Sequence, residues 1–167
     1  MIISDLSIDL RDAVQYAITN HKGLQIKSFF NEIPSWESFL KHIDKSVIKP
    51  KPHTNDKYIH QMGEVFFWNH LSLQVDRADL HFPEYKHLAP KIRDIHPAQI
   101  TNAAFAMVSF TKHEPSPIGK HFDDIDVFSW QCQGESIWYI GDGEDRQEFH
   151  MYPGDIVFCP SWVTHEV

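Results

Sequence analysis

Apolar residues along the chain follow two periods. Near the N-terminus Leu10, Ala13, Val14, Ala17 and Ile18 recur at i, i+3, i+4, i+7 and i+8, the spacing of one helical face. Ser7 or Asp9 is placed to cap that helix, and His21-Lys22-Gly23 to end it. Leu24–Phe29 alternates and predicts a strand. Ser35 opens a second predicted helix with Trp36, Phe39, Leu40, Ile43 and Val47 on one face. Pro50 and Pro52 among polar neighbours make 48–58 a loop rather than a domain boundary. Within the apolar run 62–75, Leu71, Leu73 and Val75 alternate like a strand, and Pro83 is expected to start a short helix that Pro90 disturbs.

From residue 101 the period shortens to two. Strands are predicted over 103–110, 126–133, 136–140, 149–152, 155–159 and 163–167, with turns at Gly134 and at 141–145. Short strands at regular spacing mark an antiparallel sandwich or barrel. The expected fold is mainly β. Residues 1–167 form a single domain in which 1–100 supply helical and strand cover and 101–167 a jelly-roll core.

The charge narrows the partners. Fifteen basic and 23 acidic residues give −8, which argues against a broad nucleic-acid or anionic-membrane surface. No stretch approaches the roughly 20 apolar residues of a membrane span, and Met1–Asp5 lacks the start of a signal peptide. Cys132 and Cys159 lie in apolar runs and read as two thiols in a reducing cytoplasm. The scattered histidines, His96 among them, read as ordinary surface or core residues. A Gly-x-Ser-x-Gly elbow is absent, so serine-hydrolase chemistry is not expected.

His121, Asp123 and His165 are the candidate chemistry. Two imidazoles and a carboxylate form the facial triad of Fe(II) oxygenases, which leaves coordination positions open. His121 and Asp123, at i and i+2, share a face if they lie on a strand. His150 is a competing third ligand. Ser129 and Gln131 share the parity of His121 and Asp123, so both are candidates to touch a co-substrate. Trp130, Trp138 and Trp162 read as core before pocket lining. Asp126 is expected to pin the turn after the ligand segment and Asp124 to be solvated.

The segment Pro153-Gly154-Asp155-Ile156-Val157-Phe158-Cys159-Pro160-Ser161-Trp162-Val163-Thr164-His165 resembles the second motif of the cupin superfamily. The usual glycine two residues after the proline is Trp162, so the turn is expected to differ in detail. His121-Phe122-Asp123, then Asp126-Val127-Phe128, Gln131, Gly134 and Trp138, resemble the core of JmjC-type and ribosomal-oxygenase-type 2-oxoglutarate oxygenases. The resemblance extends over 101–167 and, more loosely, over 21–47.

It implies a double-stranded β-helix with N-terminal helices packed outside, and Fe(II) held by His121, Asp123 and His165. It also implies hydroxylation of a protein side chain or small molecule with 2-oxoglutarate as co-substrate. A homodimer is compatible with it. The family's usual cation for the distal carboxylate of 2-oxoglutarate is Ser136 here, which cannot supply a charge-assisted contact. The chain ends two residues after His165, so the strand that normally follows is expected to be missing or supplied differently. Arg146, Lys112 and Lys120 are candidate replacement cations. The alternative is a metal-binding cupin that does not use 2-oxoglutarate, either another metalloenzyme or an inactive binding module.

Overall fold

The computed structural model describes residues 1–38, 48–51, 72–75, 88–98, 106–109 and 119–167. In chain order its elements are β1 (Ile2–Ile3), α1 (Leu10–Asn20), β2 (Leu24–Ile26), β3 (Ile48–Lys51), β4 (Ser72–Val75), α2 (Leu88–Ile95), β5 (Ala106–Ser109), β6 (Val127–Trp130), β7 (Ser136–Ile140), β8 (Gln147–Met151), β9 (Ile156–Cys159) and β10 (His165–Glu166). They fall into two compact units. One comprises Met1–Pro34, Pro90–Ile100 and Lys120–Val167, the other Ser35–Ala89 and Thr101–Gly119.

The first unit holds two sheets, ordered β1-β2-β9-β6 and β10-β7-β8. Every pairing is antiparallel except β1 with β2. Alternation turns one side of each sheet inward. Trp138 and Ile140 of β7 and Phe149 and Met151 of β8 meet Val157 and Cys159 of β9, with Val163, in one buried cluster. All four residues of β9 are buried, so it is covered on both faces. Leu24 is paired with Phe158 across the sheet, and α1, which contacts β2, buries Ala13, Val14 and Ala17. Each fully buried side chain of this size contributes roughly 1.5–3 kcal/mol, which makes β9 a firm base for the turn that follows it.

Caps and turns explain where elements stop. Asp9, not Ser7, caps α1, accepting from the N–H groups of Arg11 and Asp12 at 2.9 and 3.3 Å. His21 ends the helix at φ 51°, so Gly23 is not the cap. A β-carbon on Gly23 would lie 2.6 Å from the Phe149 ring, and close packing is what keeps that residue small. β2 stops three residues short of the predicted end because Ser28, at φ 50°, turns the chain and donates its N–H to Asp155 at 2.8 Å. Pro90 does not disturb α2. It sits in the first turn, where a missing N–H breaks no helical hydrogen bond.

The second unit contains an antiparallel sheet ordered β3-β4-β5. Residues 48–51, expected to be loop, are β3. Among the described residues it lies at the edge of that sheet, where Pro50 is tolerated because a missing donor need not interrupt the ladder. Residues 36–38 are helical, and Ser35 Oγ accepts from the Ser38 N–H at 3.1 Å. The remainder of that predicted helix, Leu71, Pro83, Lys112 and residues 103–105 lie outside the described residues. Among the described residues no helix is long and apolar enough to cross a membrane.

Candidate metal centre

The two sequence segments that carry the candidate ligands are stitched together by backbone. His121 and His165 form an isolated bridge, with N–H to carbonyl distances of 3.0 and 2.7 Å. The Trp162 N–H donates to the Asp123 carbonyl at 2.7 Å. His121 and Asp123 therefore do not share a continuous strand, contrary to the expectation. The carbonyl of Asp123 is taken by the opposite loop instead of a ladder partner, and the chain bends at once. The side chains converge all the same.

Trp162 takes φ 63°, the left-handed conformation for which glycine is favoured. The turn after Pro160 thus keeps the glycine-type backbone, and the expected difference is one of side chain and strain. The conformation leaves the indole 66% exposed, 5.7 Å from the ring of Phe122. Both aromatics flank the ligand cluster in sequence.

His121, Asp123 and His165 each offer a donor atom, and these atoms lie within 4.8 Å of one another. Asp123 Oδ2 is 3.5 Å from His165 Nε2 and 4.0 Å from His121 Nε2. With bonds of about 2.1 Å, two donors on one ion lie at most about 4.2 Å apart, so both of these pairs can share an ion. His165 is only 4% exposed and stacks on Trp138 at 5.6 Å and 18°. Its Nδ1 lies 3.3 Å from the Val163 carbonyl, which can only accept. The proton therefore belongs on Nδ1, and the lone pair of Nε2 is directed to the cluster. Burial pushes the imidazole below its ordinary pKa, reinforced by nearby His121 and opposed by the Val163 bond and by Asp123. A neutral imidazole is the ligating form. The donor set, the tautomer and the protonation state all fit a divalent ion. The His121 and Asp123 side chains are 34% and 40% exposed, so the cluster is sealed on the core side and open on the other.

His150 is not part of this cluster. It is exposed and bonded through Nε2 to Glu148 at 2.6 Å. Cys159 is the unforeseen neighbour. Its Sγ lies 3.5 Å from His165 Nδ1, and its thiol is pushed up to about 12 by burial and by the carboxylates of Asp123 and Asp126.

The polar candidates divide by sheet face. Ser129 is paired with Val157, a core residue, so it faces inward. Ser136 lies on the same side of β7 as Trp138 and Ile140. Its hydroxyl donates to Gln131 Oε1 at 2.7 Å, and Gln131 Nε2 donates to the Gln133 carbonyl at 2.7 Å. Arg146 lies elsewhere. Its guanidinium sits 4.0 Å over the ring of Tyr139 and 3.8 Å from Glu166, residues whose parity puts them on the outer face. Lys120 is paired with Asp142. Asp126 pins not its own turn but the opposite loop, accepting from the Ser161 N–H at 2.7 Å. Its other partner is His96, which sequence reading passed over; nothing local distinguishes that histidine from the other scattered ones.

A family model described as JmjC domain matches residues 86–148, a span that holds His121, Asp123 and Ser136 and ends before His165. The ribosomal oxygenase YcfD from Escherichia coli, solved with cobalt and 2-oxoglutarate, superposes with a TM-score of 0.64 at 20% identity, covering 92% of this chain and 47% of that one. The same protein with cobalt and succinic acid gives the same values. A further structure of E. coli ycfD gives 0.68 at 19% identity, with 98% and 50% covered. The chain shares the fold of these solved proteins. Its mainly β, antiparallel architecture is, at the coarse level, the jelly roll expected, and the resemblance read from the sequence stands. The chain spans about half the length of these solved proteins. No curated protein matches its sequence.

Proposed function

We propose that the chain is an Fe(II)- and 2-oxoglutarate-dependent oxygenase of the JmjC type, with His121, Asp123 and His165 as metal ligands. The observation that carries this reading is the convergence of the three donors around a buried imidazole whose Nδ1 is held by the Val163 carbonyl. When bound, the metal would couple splitting of oxygen and 2-oxoglutarate, to succinate and carbon dioxide, to hydroxylation of a substrate C–H. The residues of the chain do the rest. Trp138 and the core cluster close one side against water, and the exposed His121–Asp123 side admits substrate. Phe122 and Trp162, 57% and 66% exposed, offer an apolar contact beside it. A protein side chain or a small molecule is the proposed substrate, and the net charge of −8 favours a basic or neutral one over nucleic acid. The same reading has the N-terminal helices covering the outside of the barrel, in keeping with the buried face of α1. A cytoplasmic setting is part of the same proposal.

The test is Fe(II)-dependent formation of succinate from 2-oxoglutarate. Wild type should turn over, and His165→Ala should not. A second reading is favoured by one observation: the Ser136 hydroxyl is committed to Gln131, an uncharged pair where a dicarboxylate needs a cation. On that reading the protein is a metal-binding cupin that does not use 2-oxoglutarate. Tight metal binding with no succinate formed would decide for it.

A further inference from the structure

Asp126 and His96 belong to no ligand set, yet they tie the two halves of the candidate centre together. Asp126 lies five residues after His121 and Ser161 four before His165. Asp126 Oδ1 accepts from the Ser161 N–H at 2.7 Å, so the carboxylate spans from the first ligand segment to the loop that delivers the second. Oδ2 is 2.8 Å from His96 Nε2. A carboxylate only accepts, so Nε2 donates to Asp126, while Nδ1 lies 3.1 Å from the Ala98 N–H and 3.3 Å from the Ala98 carbonyl. His96 is itself fixed. It is 7% exposed, its N–H closes the end of α2 on the Ile92 carbonyl at 3.0 Å, and its ring lies 5.9 and 6.1 Å from those of Phe128 and Phe158.

The orientation has a consequence for the loop. Pro160 ends β9, Trp162 is held at φ 63°, and His165 follows three residues later. A loop with a left-handed tryptophan relaxes toward ordinary backbone unless something over-determines it. Two groups of the first segment grip it at adjacent residues, the Asp123 carbonyl at Trp162 and the Asp126 carboxylate at Ser161. Asp126 is in turn aimed by a buried histidine packed on β6 and β9.

We propose that Asp126, oriented by His96, is a positioning residue that sets the separation of His165 from His121 and Asp123 and so tunes divalent-metal affinity. This rests on the metal reading above, and it adds residues outside the ligand triad to the determinants of that site. Groups that orient metal ligands typically change affinity 10- to 100-fold when lost.

The experiment is calorimetric titration of Co(II) into the apo protein, with the Co(II) absorption spectrum and the exchange rate of the Ser161 amide as companions. Asp126→Ala is expected to weaken Co(II) binding about 10- to 100-fold, to change the d–d bands and to speed Ser161 exchange. Asp126→Asn keeps an acceptor for Ser161 and should recover most of the affinity. His96→Gln should fall between wild type and Asp126→Ala, and it stands in if Asp126→Ala does not fold. Val14→Ala, in the core of α1 away from the site, controls for stability and should bind Co(II) as wild type does. Wild-type affinity and spectrum in both Asp126→Ala and His96→Gln would overturn the inference while leaving the metal site intact, provided that His165→Ala abolishes binding. Equal weakening by Val14→Ala would overturn it too. A wild type that takes up no Co(II) would overturn the metal reading and this inference together.

Discussion

Introducing a lysine at Ser136 tests what the inner face of β7 is built to bind. Ile140, Trp138 and Ser136 follow one another on that face. His165 is paired with Ile140 and stacks on Trp138, so Ser136 is the next inward position, roughly 7 Å further along the strand. A dicarboxylate chelated at the metal would direct its far end there and meet a hydroxyl already donating to Gln131 at 2.7 Å. An ammonium group adds a charge-assisted hydrogen bond worth about 1.5–3 kcal/mol, which converts to about 10- to 100-fold in affinity. Gln131 loses its partner in the exchange, so the lower end of that range is expected. Calorimetry on Mn(II)-loaded protein without oxygen should show Ser136→Lys binding 2-oxoglutarate about tenfold more tightly than wild type. Ser136→Ala should change Kd by less than about fivefold, because it removes only a neutral hydrogen bond. Arg146→Ala should be silent, since its guanidinium packs on Tyr139 outside the barrel. Tight wild-type binding that Arg146→Ala abolishes would refute the assignment of faces. Failure of both wild type and Ser136→Lys to bind would show that the pocket takes no dicarboxylate.

Three further outcomes follow from the geometry. Alanine at His121, Asp123 or His165 should each lower Mn(II) affinity at least tenfold, and a crystal soaked with Mn(II) should show donor atoms about 2.0–2.3 Å from one ion; donors too far apart to share the ion would count against the triad. At Trp162, φ 63° costs a non-glycine residue of the order of 1 kcal/mol, so Trp162→Gly should be more stable than Trp162→Ala by about that amount in urea denaturation, the reverse of the usual ranking. Cys159, 1% exposed with its thiol pushed up to about 12 by burial, stays protonated through pH 7–9 and should alkylate only after unfolding, whereas half-buried Cys132 should react in the native protein; mass spectrometry after native labelling distinguishes the two.

The C-terminal strands were legible because the turn residues between them have definite conformations. Gly134 at φ 68° and Gly141 at φ 91° bracket β7 at the predicted bounds, 136–140. Length was misjudged where a side chain far away in sequence captures a backbone N–H. Asp155 takes that of Ser28 and so ends β2 early, and no local pattern around residue 28 announces it. Pro50 misled for a related reason. Proline signals loop only if the strand is central, and whether a strand lies at an edge is a property of the sheet.

The site was legible as a list of residues and illegible as a device. The types and spacing of His121, Asp123 and His165 named the candidate ligands that the structure brings together, but the reason given for their convergence, a shared strand face, was not the one the protein uses. Convergence comes instead from bonds between the two segments: His121 with His165, Asp123 with Trp162, and Asp126 with Ser161. Each partner lies at least 35 residues from the other, beyond any periodicity. The Nδ1 bond that directs Nε2 of His165 to the cluster is local, two residues back at Val163, yet it depends on the turn that Trp162 makes. A ligand motif can therefore be read from residue types, whereas the protonation and aim of its buried histidine follow from a loop held in place by distant groups. That ordering explains why Ser161, Asp126 and His96, none of them ligands, are where substitutions should reveal how firmly the centre is held.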